Sequence, residues 1–123
     1  MAGTEVASTD DMDALVQLTW RVHDILDDVA RAHDLSTSQL RLFGILRDRE
    51  PEMLELAGYL GVDKSSVSGL IDRAEARGLV ERVPSATDRR RVAVRLTATG
   101  RAQRSSLEAA VYSAIERAGL TAP

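Results

Sequence analysis

The chain has 123 residues, which corresponds to about one domain and is long enough to bury a core. Hydrophobic residues make up 44% and charged residues 28%, which argues against wholesale disorder. The absence of cysteine excludes disulfides, thiolate catalysis and cysteine-based metal or redox sites. No apolar run approaches the length of a membrane span, and the N-terminus lacks the basic start of a secretory signal. We therefore expect a soluble cytoplasmic protein.

The formal net charge of −3 is unevenly distributed along the chain. Residues 1–34 contain two arginines and eight acidic residues, whereas residues 63–95 contain eight basic and five acidic residues. A local basic patch is sufficient to bind nucleic acid, so the acidic total does not exclude that function. Such a fluctuation also occurs on ordinary solvated surfaces, and the charge alone does not decide between the two.

After a small, polar N-terminus at residues 1–9, for which we expect flexibility, a long helix is predicted from residue 10 to residue 34. Apolar or weakly polar residues recur in it at helical spacing along two adjacent lines. They are Met12, Leu15, Val16, Leu18, Thr19, Val22, Ile25, Leu26, Val29, Ala30 and Ala32. A helix with so wide an apolar arc usually has partners on two sides. The second partner is either another subunit or the surrounding core of a monomer.

The next predicted helix has a well-defined start and end. Ser36 is suited to cap it, and Gln39 stands three residues later, which is the sequence of a capping box. Pro51 and the charged residues before it end the helix. Its expected apolar face consists of Leu40, Leu42, Phe43, Ile45 and Leu46.

Two further helices, separated by a glycine-containing turn, predict a helix-turn-helix. The first covers about residues 53–60, and Gly61 follows it where a positive φ costs little. Its expected inward residues are Leu54, Leu56, Ala57 and Leu60. The second begins after the cap Asp63 and ends before Gly78. Its expected inward residues are Val67, Leu70, Ile71 and Ala74.

Residues 79–83 and 91–96 have the pattern of β-strands, and the polar, basic segment Pro84–Arg90 between them is typical of a hairpin tip. On the second strand we expect Val92, Val94 and Leu96 to share one face. Thr97 then caps a last helix, which covers about residues 98–118. The expected stripe of that helix is Leu107, Val111, Ala114, Ile115 and Ala118.

The outward N-terminal face of the second helix in the pair carries Lys64, Ser65, Ser66 and Ser68. An α-helix fits the major groove of B-DNA, where short polar side chains reach base edges and the helix N-terminus favours phosphate. Arginine at the hairpin tip suits the minor groove, and Asp88 can hold the guanidinium of Arg90 in one orientation. Each feature alone also fits a solvated surface, but their order along the chain is far more specific.

From about residue 35 to residue 100, the chain resembles the multiple-antibiotic-resistance regulator (MarR) family of bacterial winged-helix transcription regulators. The segments that carry the resemblance are Leu35–Leu40, Leu56–Ser68, Leu70–Arg82, Asp88–Arg90 and Val94–Gly100. The most specific of them are the Asp-Arg-Arg tip and the Leu-Thr-x-x-Gly exit from the hairpin.

The resemblance implies a mainly α fold with a small β-wing. In it, a winged helix-turn-helix at residues 35–97 is flanked by dimerisation helices at residues 10–34 and 98–123, within a single compact domain. It also implies a homodimer that binds a palindromic operator in double-stranded DNA and that represses transcription until a small aromatic or phenolic ligand binds. The family positions for DNA contact correspond to Lys64, Ser65, Ser66, Ser68, Arg73, Asp88 and Arg90, and Arg89 is an expected further phosphate contact.

For the ligand pocket, between the dimerisation and DNA-binding regions, we nominate Trp20, Arg21, His23 and Tyr59. Trp20 is alternatively an ordinary anchor of a core or interface. His23 and Asp27 lie four residues apart, but no further ligands converge with them, so no metal or cofactor is expected. The lack of a catalytic constellation argues against an enzyme.

Three features depart from the family pattern. Gly69 stands where many members have a basic residue, the helix near Met53 lacks a serine or threonine cap, and the chain stops earlier than usual, at Pro123. We expect these departures to weaken one DNA contact and the dimer. They also keep open a second function hypothesis, a winged helix that binds a protein partner and no operator.

Overall fold

Seven elements follow one another between residues 8 and 120, the part of the chain that this computed structural model describes. In chain order they are α1 (Thr9–Ala32), α2 (Thr37–Ile45), α3 (Met53–Leu60), α4 (Lys64–Ala76), β1 (Val80–Pro84), β2 (Val92–Leu96) and α5 (Ala98–Arg117). The expected fold class, mainly α with a winged helix-turn-helix, is confirmed. None of the helices within residues 8–120 is both long and apolar enough to cross a membrane.

Four of the helices begin at a side-chain cap, and the caps of α2, α4 and α5 were predicted from the sequence. Ser8, Ser36, Asp63 and Thr97 each accept a hydrogen bond from the backbone N–H three residues later. The predicted capping box is present, because the backbone N–H of Ser36 donates to Gln39 Oε1 at 2.9 Å. The cap at Ser8 corrects the boundary of the expected flexible terminus, since α1 already begins at Thr9; residues 1–7 of that terminus lie outside the described residues.

The core lies where α2, α3, α4 and the first half of α5 meet the strands and the C-terminal end of α1. Its most completely buried large side chains are Leu42, Leu56, Val67, Ile71, Val94 and Leu107. The four inward residues expected on α4 are all buried, as are Leu56, Ala57 and Leu60 on α3. This packing confirms the helical periodicity read from residues 36–78.

Two residues expected to face inward are exposed. Leu54 is 69% exposed because it lies on the opposite side of α3 from Leu56, two positions and about 200° away around the helix. Val92 is 43% exposed because it pairs with the exposed Pro84, in the last pair of the hairpin before the connecting loop. Ala93 is buried in its place.

The segment before α3 lies alongside β2 and extends the small antiparallel sheet. Strands β1 and β2 pair from Val80 with Leu96 to Pro84 with Val92. Glu52 forms an isolated antiparallel bridge with Ala93, and the N–H of Val94 donates to the carbonyl of Pro51 at 3.0 Å. The start of the helix-turn-helix is thereby joined to the wing.

The Leu-Thr-x-x-Gly stretch makes a close contact that requires glycine. A Cβ at Gly100 would lie 1.9 Å from the carbonyl oxygen of Leu79. The N–H of Thr97 donates to that same carbonyl at 3.1 Å, and the hydroxyl of Thr97 donates to the carbonyl of Gly78. These contacts attach the start of α5 to the turn between α4 and β1.

The N-terminal half of α1 has no partner within the described chain. Every residue from Ser8 to Arg21 is exposed, and α1 buries only Val29 and Ala30. Its exposed large apolar side chains are Met12, Leu15, Val16, Leu18 and Trp20. This exposure contradicts the alternative in which the first helix is surrounded by the core of a monomer. Arg21 joins α1 to α5, since its Nη2 donates to the carbonyl of Ala118 at 3.1 Å.

Candidate nucleic-acid interface

The N-terminal turn of α4 is exposed and is organised by Asp63. Asp63 Oδ1 accepts hydrogen bonds from the backbone N–H of Ser66 and the hydroxyl of Ser65, each at 2.8 Å. These hydrogen bonds hold the pKa of the Asp63 carboxyl below its usual value. Lys64, Ser66 and Ser68 are also exposed. The helix therefore presents short polar side chains and one cation to solvent.

Arg73 brings a second cation to this face, beside the glycine that departs from the family pattern. A Cβ added at Gly69 would lie 3.3 Å from Arg73 Nη1, so the guanidinium lies against the space that a side chain at position 69 would occupy. Positions 65, 69 and 73 are spaced by four residues and share one face of the helix. The positive charge absent at position 69 is thus supplied from one turn further along.

At the tip of the wing, Asp88 holds Arg90 in the way that the sequence predicted. Asp88 Oδ1 accepts from the backbone N–H of Arg90 at 3.1 Å and from Arg90 Nε at 3.2 Å. The Arg90 hydrogen bonds lower the pKa of the Asp88 carboxyl. The Arg90 side chain is 91% exposed, and Arg89 is exposed beside it. The tip therefore presents an oriented guanidinium to solvent.

The base of the wing is organised by Glu52, which the sequence analysis did not identify. Glu52 Oε1 accepts from Ser85 Oγ at 2.8 Å and from Thr87 Oγ1 at 3.1 Å, and Glu52 Oε2 accepts from Arg91 Nη1 at 3.3 Å. The Ser85 hydrogen bond is the main reason that the pKa of Glu52 lies below its usual value. The helix α3 has no serine or threonine cap, but Glu55 Oε1 accepts from the backbone N–H of the cap residue Glu52 at 3.0 Å, which is the glutamate half of a capping box.

Another ionic contact joins α4 to the wing. Arg82 on β1 donates to Asp72 Oδ1 and to Glu75 Oε1, each at 2.7 Å. The Arg82 side chain is only 27% exposed, and the hydrogen bond that it donates to Asp72 is the main reason that the pKa of Arg82 is raised. The exposed polar face of α4 and the wing are therefore held in a fixed relation.

A cleft of 710 Å³ lies between α1, α2 and α5. Its apolar lining is Leu26, Leu40, Phe43, Ile45, Leu107 and Val111. Four arginines also line it, namely Arg41, Arg47, Arg49 and Arg104. The cleft thus combines an apolar interior with an excess of positive charge.

Of the four nominated pocket residues, only His23 lines this cleft. Trp20 is 60% exposed, with its ring centroid 6.1 Å from that of His23. Arg21 is engaged with α5, and Tyr59 lies outside the lining with Arg49 over its ring, 4.9 Å from the centroid. The structure does not bring the four nominated residues together in one pocket, because the walls of the cleft come from α1, α2 and α5, which are distant in sequence. His23 Nε2 lies 3.5 Å from Asp27 Oδ2, and no group of three metal-ligating side chains occurs within residues 8–120.

Comparison with known proteins places this geometry in a family. A sequence model of the MarR family matches residues 33–91, which include the helix-turn-helix and the wing tip. The solved structure of the MarR family transcriptional regulator SPO1453 from Silicibacter pomeroyi is 30% identical, and the match covers 85% of this chain and 74% of that chain with a TM-score of 0.69. The chain belongs to the MarR family. The expectation that it is not an enzyme is confirmed by this membership.

Two further similar proteins have descriptions that name a ligand or an activity. CouR from Rhodococcus jostii RHA1, solved with p-coumaroyl-CoA bound, is 25% identical over 97% of this chain and 85% of that chain, with a TM-score of 0.77. The transcriptional repressor NicR from Pseudomonas putida is 38% identical over 69 residues, or 55% of this chain. That alignment spans only 44% of the length of NicR.

Proposed function

We propose that this MarR-family chain is a transcriptional regulator that binds operator DNA as a homodimer. The observation that carries the proposal is Arg90, whose guanidinium is held by Asp88 and is 91% exposed at the tip of the wing. An oriented, solvent-exposed arginine on a hairpin suits the negative potential of the DNA minor groove. Arg89 beside it would contact phosphate.

In this proposal α4 enters the major groove. Lys64, Ser66 and Ser68 would contact phosphates or base edges, while Ser65, whose proton is donated to Asp63, would act as an acceptor. Arg73 would supply the cation beside Gly69. The positive end of the α4 helix dipole favours phosphate at the same place.

Dimerisation would use the two regions predicted from the sequence, residues 10–34 and 98–123, to which α1 and α5 contribute. The exposed apolar side chains of α1 support this assignment, because such a face is stabilised when a second copy covers it. A twofold dimer would place two copies of α4 on successive turns of the duplex, which matches a palindromic operator.

The cleft between α1, α2 and α5 would bind a small aromatic or phenolic effector. Its apolar lining suits an aromatic ring, and its arginines favour a ligand that also carries an acidic group. Arg41 connects the cleft to the helix-turn-helix, since its Nη2 donates to the carbonyl of Tyr59 at 2.7 Å at the end of α3. A ligand that attracts Arg41 would weaken this contact. The names of CouR, solved with a phenolic CoA thioester, and of NicR, a repressor, are consistent with ligand-released repression.

The test is fluorescence anisotropy with a labelled duplex from upstream of the gene and a scrambled duplex, at low and physiological salt. Arg90→Ala is expected to lower the affinity about tenfold and to reduce the salt slope by about one unit, because one cationic contact with the duplex is lost. Arg31→Ala, which removes an exposed arginine paired with Asp28 on α1, is the matched control and should change neither quantity. Unchanged binding of Arg90→Ala would remove the wing from the mechanism.

The alternative function is a winged helix that binds a protein partner without an operator. The exposed apolar side chains Leu54, Tyr59 and Val62 in and after α3 favour it. Equal, weak binding to both duplexes, together with failure to select any sequence from a random pool, would support this alternative. A sequence selected from the pool by the wild-type chain would exclude it.

A further inference from the structure

Glu52 occupies the junction between the two halves of the proposed DNA-binding surface. It is the residue before α3, and its backbone forms a bridge with Ala93 on β2. Its carboxylate accepts hydrogen bonds from Ser85, Thr87 and Arg91, which all lie in the wing loop, residues 85–91 between β1 and β2. One carboxylate on the helix-turn-helix therefore fixes three points of the wing.

A series of side chains with alternating negative and positive charge connects Glu52 to the tip of the wing. Arg91 donates to Glu52 with one nitrogen, and its Nε lies 3.6 Å from Asp88 Oδ2. Asp88 in turn accepts from Arg90. Charge-assisted hydrogen bonds are stronger and more directional than neutral ones, so the series defines where the Arg90 guanidinium lies relative to α3.

The contact is better shielded from water than the tip that it supports. Ser85 is only 4% exposed and the Glu52 side chain 15%, whereas the Arg90 side chain is 91% exposed. Ionic hydrogen bonds are less weakened by solvent where exposure is low. The Glu52 end of the series is therefore its anchor, and the Arg90 end is accessible to a ligand.

We propose that Glu52 is a positioning residue for DNA binding, which holds the wing against the start of α3 so that Arg90 is presented in one orientation. The proposal rests on the proposed function. A wing that is ordered before binding loses less conformational entropy on the duplex, which raises affinity. Glu52 itself makes no DNA contact in this proposal.

The sign of the effect separates this role from that of an ordinary surface charge. Removal of a negative charge near a DNA-binding face should raise affinity, because the carboxylate repels phosphate. Glu50→Gln is the control for this effect, since Glu50 is exposed and its carboxylate attracts Arg95 without a close ion pair or side-chain hydrogen bond among the described residues. Glu52→Gln removes the same charge but also the ionic contact with Arg91. We expect it to lower affinity about tenfold, the equivalent of one charge-assisted hydrogen bond.

The binding experiment uses a fluorescein-labelled duplex selected from a random pool with the wild-type chain, at fixed salt. Glu52→Gln, Glu50→Gln, Arg90→Ala and the double variant of Glu52→Gln with Arg90→Ala are compared. If Glu52 acts through Arg90, Glu52→Gln causes no loss of affinity once Arg90 is absent, and only the gain seen for Glu50→Gln remains. Equal losses in both backgrounds, or a gain of affinity like that of Glu50→Gln when Arg90 is present, would overturn the proposal.

A measurement without DNA keeps the proposal separate from the proposed function. The N–H of Arg90 is bonded to Asp88 Oδ1, so its hydrogen exchange, followed by NMR, reports the order of the wing tip. Glu52→Gln should accelerate this exchange, while Glu55→Gln, which keeps an acceptor at the start of α3, should not. Unchanged exchange in Glu52→Gln would overturn the positioning role. If the wild-type chain selects no duplex but Glu52→Gln still exchanges the Arg90 N–H faster than the wild-type chain, the proposed function is overturned. The role of Glu52 as the anchor of the wing is then established independently.

Discussion

Large apolar side chains are buried in the core of the winged helix but exposed along the N-terminal half of α1. Within residues 35–107, the core buries Leu56, Val67, Ile71 and Val94 almost completely. Along residues 9–21, each side chain is exposed, and Leu15 reaches 63%. The core of the first region is covered by the chain itself, whereas no segment within residues 8–120 covers the apolar side chains of the second region. Folding and assembly are therefore separable in this molecule. Substitutions in the winged-helix core should lower the free energy of unfolding, whereas substitutions in the N-terminal half of α1 should raise the dimer dissociation constant.

The largest expected effect is the destabilisation of the winged helix when Gly100 is substituted. Gly100→Ala places a Cβ 1.9 Å from the carbonyl of Leu79, so the start of α5 must move away from the turn between α4 and β1. We expect a loss of about 3 kcal/mol in the free energy of unfolding, the upper range for overpacking. Urea denaturation followed by circular dichroism measures it. The matched control is Gly58→Ala in α3, where a Cβ meets nothing within 4 Å and the change should stabilise the helix by about 0.5–1 kcal/mol. Equal stability of both variants would show that the contact at Gly100 is not close.

The next effect should separate assembly from folding. Leu15→Glu places a charge in the exposed apolar face of α1 and should raise the dimer dissociation constant at least about thirtyfold, while the unfolding of the monomer changes little. Sedimentation equilibrium measures the first quantity and urea denaturation at low protein concentration the second. Gln17→Glu adds the same charge on another side of α1 and should leave the dimer intact. A wild-type chain that stays monomeric at tens of micromolar would contradict the proposed assembly.

The smallest effect concerns how firmly α4 is held to the wing. Arg82→Gln removes the ionic contacts with Asp72 and Glu75, and should lower the free energy of unfolding by about 1 kcal/mol after allowance for partial exposure. Arg95→Gln is the control, because Arg95 is 46% exposed and, within residues 8–120, forms its one ion pair with Glu81. The loss for Arg95→Gln should be smaller. Equal losses would mean that Arg82 does not join the two elements more strongly than an ordinary surface pair.

What could be predicted from the sequence was local in the chain. The capping box at Ser36, the turn at Gly61 and the cap Asp63 each lie within four residues of their partners, and all three are present. The inward face of α4 follows from one helical period. The Asp88–Arg90 contact also joins residues two positions apart. Local geometry restricts such contacts so strongly that residue types and spacing are sufficient.

What could not be predicted depends on contacts between distant segments. Glu52 lies 33 residues from Ser85 and 39 from Arg91, and no spacing rule connects them. The cleft takes its walls from α1, α2 and α5, so the nomination of Trp20, Arg21 and Tyr59 had only residue type to support it. Leu54 and Val92 were misassigned because burial at the ends of short elements depends on what packs against them. The DNA-contact residues stay predictions that binding experiments decide.

The position of Trp20 gives the protein an optical reporter. It is the only tryptophan in the chain, and it lies in the exposed half of α1, outside the winged-helix core. Its emission in a dilute monomer should therefore resemble that of an indole in water, even though the winged helix is fully folded. A blue shift with rising protein concentration would follow the covering of α1, with no contribution from any tryptophan in the core. The wild-type chain, without any dye, thus carries a spectroscopic signal for assembly that is distinct from its circular dichroism signal for folding.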